Sequence, residues 1–545
     1  MSAARLFVLT AARMREADAA RVAAGTTVAT LMERAARGAL AAIEAWAGRP
    51  HGLRFAVVTG KGNNAGDGLV LARLLAARGG RVTVHAAVPG DALAGAAREA
   101  FAELAGSGVR VADAAEAIAP GSDVVVDALL GTGSSGALTP PYAAAVADIE
   151  AARQRGARVV ALDLPSGFDA DSGRPLGDGG PTVRADLTVT FAHVKPVHVL
   201  YPGRAACGAL AIVDIGVEPV APGEDPELAT EALVTSLLPR RAPTAHKGDA
   251  GKVLVIGGSV GLTGAVVLAS TAALRAGAGV VTAAVPASVN DAIEAAMIEP
   301  MTWPLPESPE RALATSAVPQ LLARAGQVDA VALGPGLSRA PEAGELARRI
   351  VAAAAAPIVL DADGLHAFAA RAGELARRAP GVPLVVTPHL VEMERLSGIT
   401  PAELERGRLV LPTRFAREWN AVVVLKGAPT VIAAPDGRVT VNPTGNPGMA
   451  TAGMGDVLTG VIAAFLAQGL APYDAARAAV FVHGLAADVA HERVGTLSLV
   501  AGDVTATLPQ VLCRLESGPA ATRSSARTLP PDRIAPDPPE FTRSP

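Results

Sequence analysis

The chain has 545 residues, half of them apolar and only 3% aromatic, with a formal net charge of −4 at pH 7. That length allows two to four domains of ordinary size, and the charge balance gives no electrostatic case for nucleic acid or an anionic membrane. Two cysteines, Cys207 and Cys513, form neither a metal-ligand pattern nor a disulfide framework. They fit a reducing cytosol, and the N-terminus lacks a continuous apolar segment. No stretch reaches the roughly 18 uncharged apolar residues of a membrane span, so a soluble cytoplasmic protein is expected.

Helical spacing occupies much of residues 10–48, with VATLMERAARGALAAIEAW as the second helix. The strand-like run RFAVVTG then meets GKGNNAGDGLVLARLLAARG, a strand, glycine-rich turn and helix in succession. Further strands are expected at RVTVHAAV, DVVVDALLGTG, RVVALDLPSG, LTVTFAHVK and ALAIVDIG, with helices between most of them. Around Val217 to Leu233 the texture becomes proline-, glycine- and acid-rich without periodicity, the mark of a linker. A second series follows: KVLVIGG, GVVTAAVP, DAVALGPG, PIVLDADG, PLVVTPH, AVVVLKG and TVIAAP. Strands alternating with helices predict doubly wound, mostly parallel sheets. The expected domains are residues 1–225 and 226–515. Residues 516–545, rich in Pro, Ser and Arg, are expected to form a tail without fixed structure.

Ligands of open parallel sheets sit at the carboxyl ends of the strands, and the chemically suggestive loops fall there in both halves. The densest is NPTGNPGMATAGMGDVLTG, residues 442–460, which sets Gly445, Gly448, Gly453 and Gly455 ahead of one acid, Asp456, and an apolar helix. A glycine-rich turn opening a helix suits a phosphate, and a carboxylate beside a phosphoryl group is a natural base for a hydroxyl. Alone, such a stretch is more often a simple turn and cap. GTGSSG matches GxGxxG after a strand, but Pro140 and Pro141 are expected to interrupt the helix that a dinucleotide fingerprint needs. Asn63, Asn64 and Asp67, with Asp127 and Ser166 at other strand ends, can together form an oxygen-rich cation site; singly, each is more often a cap or turn residue. Asp163 is a candidate acid or base, with Lys195 as a nearby positive charge and His193 and His198 as packing or hydrogen-bonded residues. In the second half Lys247 and Asp249 precede a strand, Lys426 ends one, His389 can touch substrate, and Asp361 and Asp363 are turn residues or helpers of a metal-nucleotide site. No His/Cys/Glu spacing suggests zinc.

The ordered set GNNAGDGL, DALLGTG, DLPSG, HKGDAGKVLVIGGSVGLTGAVVLA, LGPGL, TPHLVEM, KGAPT and GNPGMATAGMGDVLTG resembles the bifunctional nicotinamide-nucleotide repair enzymes. In these an NAD(P)H-hydrate epimerase is joined to an ADP-dependent NAD(P)H-hydrate dehydratase. The resemblance covers roughly residues 10–512. It implies two three-layer α/β/α domains, the first Rossmann-like and the second ribokinase-like. It implies an enzyme, isomerase and lyase, that interconverts the R and S forms of NADHX and NADPHX and dehydrates the S form with ADP, giving AMP and phosphate. In the epimerase it points to Asn63, Asn64, Ala65, Gly66 and Asp67, to Gly131, Thr132, Gly133, Ser134, Ser135, Gly136 and Ala137, and to Tyr142 and Asp163 for the hydrate. Potassium would be held by Asn64, Asp127 and Ser166. In the dehydratase Ala265, Gly336, His389 and Asp456 would hold the hydrate. Lys426, Gly427, Ala428, Pro429 and Thr430, with Asn446, Gly453, Met454 and Gly455, would hold the adenine nucleotide and its Mg2+. Asp163 and Asp456 are the expected catalytic groups, and a homo-oligomer without nucleic-acid or membrane partners is expected. The chain departs from the family pattern at Ala65, Arg34 and Met454, where glycine, asparagine and threonine are usual. The alternative reading is a ribokinase-like vitamin or sugar kinase with a fused regulatory or binding domain.

Overall fold

The computed structural model describes residues 5–113, 116–177, 179–221, 223–517 and 526–529. They divide into two compact units: residues 7–221 with 526–529, and residues 223–517 with Arg5 and Leu6.

In the first unit seven strands run in chain order: β1 (Arg54–Thr59), β2 (Arg81–Ala86), β3 (Arg110–Val111), β4 (Val124–Ala128), β5 (Arg158–Leu162), β6 (Leu187–Phe191) and β7 (Ala209–Val213). They lie side by side as β7-β6-β5-β4-β1-β2-β3, all in parallel. Strand order reverses between β1 and β4. The β-branched strand residues feed two apolar layers alternately: Val124 and Val126 enter one, Val125 the other. Burial on both faces is what near-continuous apolar strands require.

The second unit contains β8 (Glu227–Leu228), β9 (Lys252–Ile256), β10 (Val280–Pro286), β11 (Met301–Leu305), β12 (Ala330–Leu333), β13 (Ile358–Leu360), β14 (Leu384–Val386), β15 (Val422–Leu425), β16 (Thr430–Ala433) and β17 (Val439–Asn442). Their spatial order is β11-β10-β9-β12-β13-β14-β15-β16-β17-β8. The β15–β16 and β16–β17 pairs are antiparallel and the rest parallel. Here the reversal falls between β9 and β12. Val253 and Val255 face one apolar layer and Leu254 and Ile256 the other. Both units are thus three-layer α/β/α structures, as expected. Among the described residues no helix is long and apolar enough to cross a membrane.

Several elements differ from the sequence reading. The stretch 217–233, read as linker, contains β8 and the start of the helix Glu231–Leu237. Leu228 N–H donates to the Leu6 carbonyl at 2.8 Å, so the chain start is stitched to this strand. The segment expected to be a structureless tail contributes β18 (Ala526–Leu529), antiparallel to β7; residues 518–525 and 530–545 lie outside the described residues. Pro140 and Pro141 do not interrupt a helix: they open Pro140–Gln154, because the first turn needs no N–H bonds and proline's fixed φ suits it. GNNAGDG is not a loop either. Asn63 begins the helix Asn63–Ala77. A Cβ at Gly66 would lie 2.5 Å from the Met32 side chain, and one at Gly68 2.5 Å from Ala128. These two glycines let the helix pack closely rather than admit a ligand.

The same device closes the second unit. A Cβ at Gly460 would sit 2.1 Å from the Ala269 carbonyl oxygen, where the helices Thr263–Arg275 and Met454–Ala467 touch backbone to backbone. Gly460→Ala is expected to cost about 1–3 kcal/mol of stability through overpacking. The loss would be read as a lower denaturant midpoint at unchanged slope; an unshifted midpoint would show that the helices can part freely.

Candidate active sites

In the first unit the reversal of strand order brings three loops together. Asn64, just after β1, is buried, and its Nδ2 donates to the Leu130 carbonyl at 2.8 Å and the Leu162 carbonyl at 3.1 Å. Its Oδ1 is buried without a partner. Leu130 N–H donates to Ser166 Oγ at 3.1 Å, and Ser166 donates through Oγ and N to the Asp127 carboxylate at 2.7 and 2.8 Å. Leu130 therefore ties Asn64, Ser166 and Asp127 into one cluster. Asp127 is fully buried with no cationic side chain bonded to it, and burial pushes its carboxyl up to about 6 against the pull of the Ser166 hydrogen bonds. An orphaned amide oxygen beside a costly buried carboxylate has the chemistry of a cradle for a monovalent cation.

Asp163 follows β5 with φ at 65°, a left-handed conformation uncommon outside glycine. The strain is held from both sides. Its carboxylate takes Lys195 Nζ at 2.7 Å, and its carbonyl lies 2.8 Å from His198 Nε2. Lys195 N–H donates to His198 Nδ1 at 3.0 Å, which fixes the proton on Nε2, and burial drives His198 down to about 3, so the ring is neutral. Burial alone would raise Asp163; the Lys195 charge and hydrogen bond outweigh it and the carboxyl is lowered. Asp67, one turn into its helix, is pushed well above the carboxylate range by burial and by the charges of Asp163 and Asp18. The two neighbouring aspartates are thus shifted in opposite directions, Asp163 down and Asp67 up. Gly131 lies between the two clusters: a Cβ there would be 3.3 Å from Asp163 Oδ2 and 3.4 Å from Asn64 Cβ. Tyr142 covers Gly60, within 3.0 Å of a Cβ built there. Ala65 lies within the helix, outside the positive-φ residues, and its methyl is wholly buried. Arg34 points away, donating to the Ile215 carbonyl at 2.9 Å.

In the second unit the reversal between β9 and β12 places Ala265 against Gly336: a Cβ on Gly336 would meet Ala265 Cβ at 3.2 Å. Lys426 ends β15. Its Nζ lies 2.7 Å from Asp361 Oδ1 and 3.7 Å from Glu392 Oε2. Thr459 Oγ1 donates to Asp361 Oδ2 at 2.8 Å. Gly453, at φ 89°, caps the helix Met454–Ala467. A Cβ on Gly455 would approach both Lys426 Nζ and Asp361 Oδ2 at 3.2 Å. That glycine keeps the lysine uncovered at a helix start whose first N–H groups have no partner within the helix. Asp456, in the same turn, is raised to about 7 by burial and by the Asp361 charge, against the pull of Lys426. His389 Nδ1 accepts from the N–H groups of Val391 and Glu392 at 3.1 and 3.3 Å, and its Nε2 lies 3.5 Å from Glu392 Oε1. Burial and Lys426 lower its pKa.

The nucleotide-loop residues are held from behind. Buried Arg408 donates to the Pro429 carbonyl at 2.9 Å and would clash with any Cβ on Gly427; Thr430 Oγ1 closes the same turn on Gly427. Asp488 accepts from Gly445 N at 3.0 Å and Asn446 Nδ2 at 2.9 Å. The Met454 side chain is buried in an apolar cluster, so only its backbone is offered to a ligand. Lys247 and Asp249 fall in an exposed turn with local hydrogen bonds. Asp361, read from sequence as a turn residue or a helper of a metal-nucleotide site, carries much of this geometry together with Glu392, Thr459, Arg408, Asp488 and Asp18, which were missed. A signal existed for two: Glu392 follows His389 by three and Thr459 follows Asp456 by three, spacings that share a helix face.

This is the layout of a two-site α/β enzyme, with a loop cluster at the strand-order reversal of each sheet. A family model described as YjeF-related protein N-terminus matches residues 28–197, and one described as NAD(P)H-hydrate dehydratase matches residues 253–510. The bifunctional NAD(P)H-hydrate repair enzyme of Moorella thermoacetica is 44% identical over 529 residues, 94% of this chain and 97% of that one. Its counterpart in Escherichia coli is 37% identical over 507 residues, 92% of each chain. A solved Bacillus subtilis ADP/ATP-dependent NAD(P)H-hydrate dehydratase, co-crystallised with ATP/Mg2+, is 31% identical and covers 53% of this chain and 98% of its own, with a TM-score of 0.46. The chain belongs to the family of bifunctional NAD(P)H-hydrate repair enzymes.

The Lys426–Asp361 pair makes a stability prediction. Lys426→Met leaves the Asp361 carboxylate buried without its cation and is expected to cost about 3–5 kcal/mol. The double variant with Asp361→Asn should recover a large part of that in denaturant unfolding. Equal losses in single and double variants would show that the pair is not coupled.

Proposed function

We propose that the two sites perform consecutive steps of NAD(P)H-hydrate repair: the first unit epimerises carbon 6 of the hydrated nicotinamide ring, and the second dehydrates the S form using ADP. The observation that carries the reading is Asp456, a carboxyl near neutrality in the first turn of a glycine-capped helix whose Gly455 leaves the Asp361-paired Lys426 uncovered.

In the second unit Asp456 accepts the carbon-6 hydroxyl proton as the oxygen attacks the β-phosphoryl of ADP. The N–H groups at the start of Met454–Ala467 and Lys426 hold the phosphoryl charge, and AMP leaves. The ring-nitrogen electron pair then expels phosphate from carbon 6. Loss of the carbon-5 proton restores the dihydronicotinamide. Ala265 and Gly336, in mutual contact, and His389 border the ring; Lys426–Thr430, with Asn446 and Gly453–Gly455, border the nucleotide. Magnesium would screen the ADP phosphates. Among the described residues no group of three or more His, Cys, Asp or Glu side chains is built to cage a metal, which suits an ion held chiefly through phosphates and water.

In the first unit Asp67 keeps a proton for the departing hydroxyl. Asp163, ionised by Lys195, takes one from the water that returns to the opposite face of the ring. This divides between two carboxyls a shuttle expected of Asp163 alone, and environments that push two pKa values apart are how acid and base roles are assigned. Potassium would be held by Asn64, Asp127 and Ser166, the partnerless Asn64 Oδ1 being the group that fits it. Its charge would orient the strand-end loops.

One assay tests both assignments in the full chain: mixed-epimer hydrate plus ADP, following the return of dihydronicotinamide absorbance. Asp456→Asn should restore no NADH, a loss of at least about 10²-fold, while still interconverting the epimers. Asp163→Asn should stop once the S form is consumed. A D456N variant dehydrating at near the wild-type rate would sink the second-unit mechanism. Because the base must be ionised, kcat/KM for dehydration should climb with pH and reach half its plateau near 7; a flat profile between pH 5 and 9 would remove Asp456 from that role. Asn64→Ala should abolish any potassium dependence of epimerisation, and a variant that responds to potassium as the wild type does would place the ion elsewhere.

A further inference from the structure

We propose that Asp488 is a positioning residue for the adenine nucleotide: it sets the shape of residues 445–449 and, through Asn446, the affinity for ADP. This rests on the dehydratase reading of the second unit.

Asp488 lies on the helix Pro472–Val494, where Phe481, Gly484 and Asp488 follow the i, i+3, i+7 spacing of one helical stripe. All three positions meet the start of the glycine stretch. The Phe481 carbonyl accepts from Thr444 Oγ1 at 3.0 Å. A Cβ on Gly484 would lie 2.3 Å from the same hydroxyl oxygen, so glycine there lets the stretch lie against the helix backbone. Asp488 takes the next two residues. Its Oδ2 accepts from Gly445 N at 3.0 Å, and its Oδ1 accepts from Asn446 Nδ2 at 2.9 Å. His483, earlier on the same helix and buried, interacts with the Met454 backbone. One helix thus supports the stretch at both of its nucleotide-bordering ends, Asn446 and Gly453–Gly455.

The carboxylate decides which way Asn446 faces. An ionised carboxylate only accepts hydrogen bonds, so the amide must present its NH2 to Asp488 and its oxygen to the other side. There Asn446 Oδ1 accepts from Gly448 N at 3.0 Å and caps the short turn Pro447–Met449. The Asn446 carbonyl closes the same turn, accepting from Met449 N at 3.0 Å. One side chain therefore holds the backbone of Gly445 directly and that of Gly448 through Asn446. Asp488→Asn keeps the size but replaces one acceptor with a donor. Whichever way the new amide turns, either Gly445 N–H or Asn446 Nδ2 then faces a donor, and relief at Asn446 requires it to turn over and release Gly448. Asp488→Ala removes both acceptors.

The test uses full-length wild type, Asp488→Ala and Asp488→Asn. Dehydration is measured with ADP varied at saturating S-hydrate, then with S-hydrate varied at saturating ADP. Calorimetry with ADP alone gives a readout that needs no turnover. Loss of hydrogen bonds to a charged acceptor should raise the ADP KM and Kd of Asp488→Ala by about tenfold or more, well beyond any change in kcat or in the hydrate KM. Asp488→Asn should raise both in the same direction. If wild type binds ADP and dehydrates the hydrate while Asp488→Ala keeps wild-type ADP affinity and KM, the positioning role is wrong and the dehydratase reading stands. Equal losses for ADP and hydrate would also overturn it, since they mark a residue that only supports the fold. Should Asp488→Ala not fold, Asp488→Asn decides by the same outcomes. If wild type neither binds ADP nor dehydrates, that reading falls and the positioning role with it.

Discussion

An aspartate at the closed end of a parallel strand must be given a cation, and the second unit is arranged around that need. Asp361 ends β13 almost without solvent. Removing a carboxylate from water is repaid only by close pairing and further hydrogen bonds. Lys426 from β15 and Thr459 from the helix Met454–Ala467 supply them. The pair therefore fixes where β13, β15 and that helix meet. Its second effect reaches Asp456. Burial lifts Asp456, which has no salt bridge among the described residues, toward neutrality, and the fixed negative charge at Asp361 adds to that lift. Thus an interaction whose first role is to make burial tolerable also sets the protonation of the group next to it. Glycine at 455 keeps the lysine face open, since a side chain there would press against both members of the pair.

The first unit uses the same pairing to the opposite end. Lys195 meets Asp163 at 2.7 Å, but here the paired acid is the one proposed to react, and the neighbour, Asp67, is lifted by burial and then by the charge of Asp163. The neutral His198 completes the arrangement without adding charge. Its ring bridges the Lys195 N–H and the Asp163 carbonyl, bracing a backbone conformation that an aspartate does not readily take. Paired charge and backbone strain are coupled: the twist that aims the carboxylate at Lys195 is the twist that His198 restrains.

Much of the fold was legible because buried parallel strands are written as runs of valine, leucine and isoleucine bounded by glycine and proline. The strands that were missed lack that signature. β3 and β8 are two residues long, β11 is an edge strand broken in pattern by Pro304, and β17 directly precedes the glycine stretch that drew the eye. The site was legible where one residue's chemistry is local, as with Asp456 in its helix turn. It was illegible where meaning depends on a distant partner. Asp361 reads as either a turn residue or a helper of a metal-nucleotide site until Lys426, 65 positions away, is placed beside it. Arg408, which the sequence reading did not single out, gains its meaning only when it is found under the Pro429 carbonyl.

Glycine motifs show why pattern and role must be separated. GNNAGDG and GMGD look alike as glycine-rich stretches opening a helix, yet their glycines answer to different neighbours. Gly66 and Gly68 face Met32 and Ala128, apolar atoms that crowd a helix against its own sheet; Gly455 faces an ammonium and a carboxylate. The first kind is constrained by packing, the second by what must remain uncovered. Met454 follows from the same distinction. It occupies the position where the family pattern usually has threonine, but its side chain lies among buried apolar residues. The helix start offers backbone N–H groups whatever that side chain is. A methionine there trades one buried contact for another and leaves the Lys426–Asp361 face, on which the protonation of Asp456 depends, unchanged.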